Sequence, residues 1–315
     1  YYMDAVQLLT GRGGWPLNCF LTPDKKPFLG GTYFPPEDRG QQVSWRRVIL
    51  HVGKVFQRQR EQVEEQAERI HQRIENLQTQ GFKPLIQWEE GTNRFDLKEI
   101  IESTRRNWDI EFGGMKGAPK FPMAHVYSSL LSWGLIRDEA EIINFVHRTA
   151  HAFIQGGLYD PVRGGFARYC VDAQWRVPHF EKMLYDNAGI LSLLAVLNRF
   201  QDDPSLKWAL ESTLHFLKNY MRDQDQLFFS AVDADSEGEE GKYYTWSYPE
   251  LEQVLNESEL EIMKAYFDIE KGGNWEGTNV LYSNLAQYKI FSKKYRLDDL
   301  DAVLAKLNRV AAHRI

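Results

Sequence analysis

Residues 156–187 read GGLYDPVRGGFARYCVDAQWRVPHFEKMLYDN. Gly156, Gly157, Gly164 and Gly165 fall within ten residues and permit sharp turns and close backbone approach, which a helix interior does not need. On both sides apolar residues recur at helical spacing, predicting helices over 139–155 and 181–200. The stretch is therefore a Gly/aromatic break between helices. It is not a G-x-G-x-x-G turn after a strand, so a dinucleotide reading is poor. A ligand-contact loop and a structural hairpin both fit, and Tyr159, Arg168 and Tyr169 are its candidate binding side chains.

The same grammar runs from about Asp96 onward. Further helices are predicted over 96–108, 124–134, 205–222, 249–256, 258–268 and 298–313. The breaks carry Phe112-Gly113-Gly114, Gly164-Gly165-Phe166, Leu227-Phe228-Phe229 and Gly273-Asn274-Trp275. They recur about every 50 residues, which means one helical hairpin per repeat. Hairpins with an apolar face must stack into an open solenoid or a closed ring. Breaks rich in Gly and aromatics, rather than polar linkers, suggest packing at one end and favour a closed α/α toroid.

Residues 1–43 have a different, mixed α/β grammar. A short helix over 2–10 ends at Gly11. Gly13-Gly14-Trp15-Pro16 is a turn, because Pro16 lacks an N–H and restricts Trp15. Strands over 17–21 and 28–34, joined through Thr22-Pro23-Asp24-Lys25-Lys26-Pro27, predict a hairpin. One long helix is then expected from the Ser44 cap to about Gln78, with a solvated face over Arg58–Glu75. The expected organisation is residues 1–80, a linker over 81–95, and a helical domain over 96–315.

The 315 residues carry a net charge of −6, with 43% apolar and 26% charged side chains. Mild acidity argues against a protein built to neutralise nucleic-acid phosphates. No apolar run approaches the roughly 18–20 residues that span a bilayer, so no membrane partner is expected. Two cysteines, Cys19 and Cys170, exclude a disulfide framework and suit a reducing, cytoplasmic location.

Three constellations have the residue types for chemistry. In Trp175–Asn187, Pro178 precedes the expected helix over 181–200, which puts His179 at a helix N-terminus where the local potential favours neutral imidazole. Glu181 and Tyr185 would share one face, and Lys182 and Asp186 another. A capped helix with a salt bridge fits the same residues. His179 has no second histidine at zinc-ligand spacing, so neither a metal nor a cofactor is assigned.

In the segment 230–246, Asp233, Asp235 and Glu237 would share one face of an extended chain. Close carboxylates raise one pKa or recruit a cation, and Asp233 and Asp235 suit acid and base roles toward a sugar. The calcium-loop spacing fails, and a solvated acidic loop is the plain alternative. Trp246, after Tyr243-Tyr244-Thr245, suits a wall for stacking a sugar or plain packing. Third, Pro16, after glycines and before a strand, is a candidate cis-proline beside Trp15. No C-x-x-C occurs in the chain, and Cys19 stands alone on a predicted strand.

The blocks TGRGGWPLNCFLTPDKKPFLGGTYFPPE, EFGGMKGAPKFP, GGLYDPVRGGFARYCVDAQWRVPHFEKMLYDNA and SAVDADSEGEEGKYYTW span most of residues 1–246. Together they closely resemble the spermatogenesis-associated thioredoxin-like, DUF255-type family of thioredoxin domain-containing proteins. The resemblance implies a partial α/β thioredoxin-like domain followed by a mostly α, incomplete (α/α)6 toroid. That toroid looks like those of N-acylglucosamine 2-epimerases and six-hairpin glycosidases. Family members carry a Cys-x-x-Cys motif before the region matching Tyr1, so the resemblance implies a fragment that starts after it. Eight predicted helices beyond residue 95 are likewise fewer than a six-hairpin ring requires. It further implies a sugar-type cavity where His179, Glu181, Asp186, Asp233 and Asp235 converge. Substrate contacts would come from Trp15, Pro16, Tyr159, Arg168, Tyr169, Tyr185 and Trp246. The expected function is carbohydrate processing, by epimerisation or hydrolysis, or carbohydrate binding of a sugar-like small molecule without turnover. Two alternatives are a thiol-redox or thioredoxin-like binding protein with the toroid as substrate holder, and a non-catalytic scaffold.

Overall fold

The computed structural model describes residues 1–40, 42–81, 97–283 and 285–314. The chain divides into two compact units, Tyr1–Asp96 and Leu97–Ile315. Except for Gly81, the linker expected over 81–95 lies outside the described residues.

In the first unit, α1 (Tyr2–Thr10) ends at Gly11 in the left-handed conformation. Next come β1 (Asn18–Leu21) and β2 (Pro27–Gly31), paired antiparallel with Cys19 opposite Gly30. This is the expected hairpin, and the Trp15–Pro16 peptide is cis. Helices α2 (Trp45–Arg58) and α3 (Arg60–Gly81) replace the single long helix expected over 44–78. The break lies at Gln59, at φ −130° and ψ 40°. Periodicity cannot register it: Val52, Phe56, Val63, Ala67 and Ile74 keep an alternating four- and seven-residue step straight through. Of these, Val52, Val63 and Ala67 form a core with Phe28.

The second unit begins with α4 (Leu97–Arg105), α5 (Ala124–Arg137) and α6 (Ala140–Gln155). Short strands β3 (Tyr169–Cys170), β4 (Pro178–His179) and β5 (Lys182–Met183) lead into α7 (Leu184–Phe200) and α8 (Pro204–Asn219). Strands β6 (Ala231–Val232), β7 (Asp235–Ser236) and β8 (Glu239–Glu240) follow. The described residues then form α9 (Tyr248–Val254), α10 (Glu257–Tyr266), α11 (Leu285–Lys294) and α12 (Leu297–Ala311). Among the described residues the fold is mostly helical with four two-stranded sheets. Two antiparallel hairpins, α5/α6 and α7/α8, stack with α5 on α7 and α6 on α8. Leu130, Phe145, Phe153, Ile190 and Leu194 are among the buried side chains between them.

The first two Gly/aromatic breaks share a local construction. In the first, Asp109 Oδ1 accepts from the Glu111 and Phe112 amides while Oδ2 accepts from Lys120 Nζ at 2.6 Å. In the second, Asp160 Oδ1 accepts from the Val162 and Arg163 amides while Oδ2 accepts from Lys182 Nζ at 2.7 Å. Each lysine also donates to a glycine carbonyl, Gly113 or Gly164, at 2.8 Å. Those glycines and their neighbours Gly114 and Gly165 have φ between 71° and 81°. Successive breaks are joined by backbone bonds: Lys120 bridges Cys170, β5 pairs β6, and Trp246 bridges Asn279.

One boundary differs in a way that matters for the site. Helix α7 starts at Leu184 rather than at residue 181. Burial of the Lys182 ammonium against Asp160 draws that residue out of the helix, and its backbone pairs with Val232 instead. His179 is therefore not at a helix N-terminus. It lies in β4, opposite Tyr169 in β3. The Glu181–Tyr185 and Lys182–Asp186 helical pairings are lost with it.

Candidate functional site

Strands β3 and β4 stack the Tyr169 and His179 rings at 5.0 Å between centroids, with Phe121 against the other partner, Tyr169, at 4.7 Å. His179 Nδ1 lies 2.6 Å from Glu240 Oε1, and Nε2 lies 3.9 Å from Glu181 Oε2. Arg168 Nη1 donates to the same Glu181 oxygen at 2.7 Å, while the Arg168 amide donates to the Glu181 carbonyl. This hydrogen bond and charge pair hold the Arg168 pKa above its ordinary value.

Asp186, in the first turn of α7, completes the group. Burial pushes its carboxyl up to about 6; Arg168 pulls the other way and Glu181 adds to the rise. Its Oδ2 and Arg168 Nε are buried without a hydrogen-bond partner. Tyr185, beside Asp186 in sequence, is 60% exposed. The arrangement brings a carboxyl poised near neutrality, an Arg–Glu pair and a histidine to one face.

His179, Glu181, Asp186, Arg168, Tyr169 and Tyr185 thus form one neighbourhood. Asp233 and Asp235 are exposed, and their link to it is indirect. Asp235 pairs across the β7–β8 hairpin with Glu240, and it is Glu240 that meets His179. Glu237 sits in the turn at φ 53°, so the expected three-carboxylate face does not form. Lys242 holds the Glu237 carboxyl below its ordinary pKa.

Tyr159 and Trp246, expected as ligand contacts, are buried in the core. Tyr159 is 2% exposed, packed against Phe166 and Trp208, and burial raises its pKa. Trp246 is 1% exposed, and the Arg314 guanidinium lies 3.6 Å from its ring centre. Trp15 and Pro16 are exposed in the first unit. Both cysteines are free; burial raises both thiol pKa values, which opposes thiolate chemistry.

A second cluster was outside the candidates drawn from sequence. His147 and His151, four apart on α6, turn their Nε2 atoms to Asp203 Oδ2 at 3.4 and 2.7 Å. The three residues converge with ligand atoms within 4.8 Å of one another. Asp203 caps α8, with Oδ1 accepting from the Ser205 and Leu206 amides. Burial would raise its pKa, but the two histidines outweigh it and hold it far below the ordinary range. Both histidines line a cavity of about 520 Å³ together with Asn144, Arg148 and Gln155. The His-x-x-x-His spacing is legible in the sequence; the third partner, 52 residues beyond His151, is not.

Residues 1–75 match the family model Thioredox_DsbH, described as a protein of unknown function, DUF255. Spermatogenesis-associated protein 20 of Homo sapiens is 30% identical over 336 residues, covering 98% of this chain and 42% of that protein. The Mus musculus protein of the same name is 29% identical over 340 residues, with the same coverage. An uncharacterized protein of Caenorhabditis elegans is 28% identical over 292 residues, covering 87% of this chain and 39% of that protein. The chain spans about two fifths of the length of these curated relatives. A sugar epimerase from a ruminal bacterium is similar in structure over 42% of this chain and 37% of that one, at 17% identity and a TM-score of 0.37. No helix among the described residues is long and apolar enough to cross a membrane. The family-model match over residues 1–75, with relatives similar over nearly the whole chain, supports the resemblance to the Thioredox_DsbH, or DUF255, family.

Proposed function

We propose that the second unit binds and processes a carbohydrate-like, polyhydroxylated small molecule at the Arg168–His179–Glu181–Asp186 cluster. The observation that carries this reading is Asp186, whose carboxyl has a pKa raised to about 6 by burial and an Oδ2 without a partner. Near neutral pH such a group both donates and accepts a proton, as epimerisation or glycoside hydrolysis requires. Arg168 and Glu181 supply a charged pair for hydroxyl groups, and exposed Tyr185 supplies an apolar face for a sugar ring. In this reading Asp186 replaces Asp233 and Asp235 as the principal acid/base, with Glu240 orienting His179. The stacked hairpins of residues 96–315 support an incomplete (α/α)6 toroid as the frame.

The test is a panel of mono- and disaccharides, assayed by ligand-observed NMR for binding and for product. Binding should weaken at least tenfold in Tyr185→Ala, and turnover should fall at least 100-fold in Asp186→Asn. Asp233→Ala and Asp235→Ala should retain most activity. Saccharide binding that is unchanged in both Tyr185→Ala and Arg168→Ala would remove this cluster from consideration.

A second reading concerns residues 1–80 as the C-terminal half of a thioredoxin-like binding domain. It is favoured by the family match and by Trp15, which is 80% exposed beside exposed Pro16 at the entrance to the β1–β2 hairpin. An extended peptide bound there should change Trp15 fluorescence, and that change should vanish in Trp15→Phe.

A further inference from the structure

The converging imidazoles on α6 have no part in the carbohydrate reading, and ordinary hydrogen bonding does not account for all three groups. Asp203 Oδ2 accepts from His151 Nε2 at 2.7 Å, leaving His147 Nε2 buried at 3.4 Å without a hydrogen-bond partner. Two ring nitrogens and one carboxylate oxygen thus lie within 4.8 Å of one another, and a cation placed among them would take a lone pair from each. We propose that His147 Nε2, His151 Nε2 and Asp203 Oδ2 bind one divalent transition-metal ion of the zinc class.

The donors are prearranged for such an ion. Spacing of four places both histidines on one helical face, one turn apart. Their rings meet edge to face, with centroids 4.6 Å apart. The third donor is fixed because its other oxygen is committed to the α8 N-terminus, so Oδ2 cannot swing away without uncapping that helix. Two imidazoles and one carboxylate suit zinc, cobalt or iron(II) better than magnesium or calcium, which prefer an all-oxygen shell. Three protein donors leave a coordination position open. His147 and His151 line the 520 Å³ cavity, so that position can receive water or a small anionic ligand from it. Gln155, in the wall of the same cavity, has a buried Nε2 without a hydrogen-bond partner among the described residues.

Cobalt(II) titration of the metal-stripped 315-residue chain tests the site directly, followed by displacement with zinc. One cobalt per chain should bind, with the visible absorption of a low-coordinate nitrogen/oxygen site. Zinc should abolish that signal, and millimolar magnesium should leave it unchanged. His147→Gln should lower affinity at least tenfold. His147 Nε2 makes no hydrogen bond among the described residues, so the variant remains informative even if His151→Gln is unstable. Asp203→Asn should also weaken binding, while its amide can still cap α8. Zinc should raise the melting temperature of the wild-type chain and not that of His147→Gln. No stoichiometric cobalt uptake, or equal uptake by wild type and His147→Gln, overturns the proposal.

Discussion

Lys182 donates from Nζ to Asp160 Oδ2 at 2.7 Å, with side chains only 2% and 12% exposed. This buried pair closes the break between α6 and α7 and explains why α7 begins two residues after the lysine. Removing the lysine leaves Asp160 charged and buried, so Lys182→Met should lose about 3–5 kcal/mol of stability. Adding Asp160→Asn should recover part of that loss, because the asparagine can still accept the Val162 and Arg163 amides. Urea unfolding of the single and double variants measures both effects.

The equivalent Lys120–Asp109 pair carries a pH dependence. Burial works to raise the Asp109 pKa, but Lys120 and the Phe112 amide outweigh it and hold the carboxyl below its ordinary value. A carboxyl with a folded pKa below its unfolded one stabilises the protein above the unfolded value, about 3.9. That contribution is lost as pH falls through the folded pKa. Stability measured from pH 6 to 2 should fall more steeply below about pH 4 in wild type than in Asp109→Asn.

Asp186 has the opposite sign. Its folded pKa of about 6 lies above the unfolded value, so the folded state retains a proton that the unfolded chain releases between about pH 4 and 6. Stability contributed by the neutral carboxyl is full below pH 4 and is lost as pH rises through 6. Asp186→Asn should therefore match wild type near pH 4 and exceed it by up to about 3 kcal/mol at pH 7. Carbon-13 titration of the carboxyl provides a direct check, and a midpoint near 4 would contradict the acid/base role.

Two glycines with the same backbone conformation should differ in cost. Gly164 has φ +80°, and an added Cβ would lie 2.3 Å from the Ser212 carbonyl oxygen. Gly238 has φ +81° and open space around it. Gly238→Ala should cost about 1–2 kcal/mol for left-handed backbone alone. Gly164→Ala adds a backbone clash and should cost about 2–5 kcal/mol. Thermal unfolding of the two variants separates strain from packing.

Trp246 and Trp15 make a similar contrast. Trp246→Ala empties the space under Arg314 in the second core and should cost about 3–5 kcal/mol. Trp15→Ala, at an exposed position, should stay within about 0.5 kcal/mol of wild type. Acrylamide quenching should reach Trp15 and spare Trp246.

Several elements were legible because their signals are local. The helix expected over 139–155 forms as Ala140–Gln155, and the expected hairpin forms as β1 and β2. Apolar periodicity, Gly11 and the Pro/Asp turn act within a few residues of the structure that they specify. Helix α11, which no sequence signal predicts, is a ten-residue segment with Leu285, Tyr288, Ile290 and Phe291 interleaved with polar residues. Phe291 is buried against Tyr266, a packing partner no local window contains.

The amino-acid sequence alone determined the helical hairpins, the Gly/aromatic breaks between them and the hairpin of the first unit. Those features follow from side-chain period and from the backbone limits of glycine and proline. Long-range packing is what places His179 in a strand, sets Glu240 rather than Asp235 against it, and brings His147, His151 and Asp203 together. Two-residue strands have no periodicity to read. A charge or imidazole acquires its role from partners tens of residues away, and chain folding alone brings them within hydrogen-bond reach.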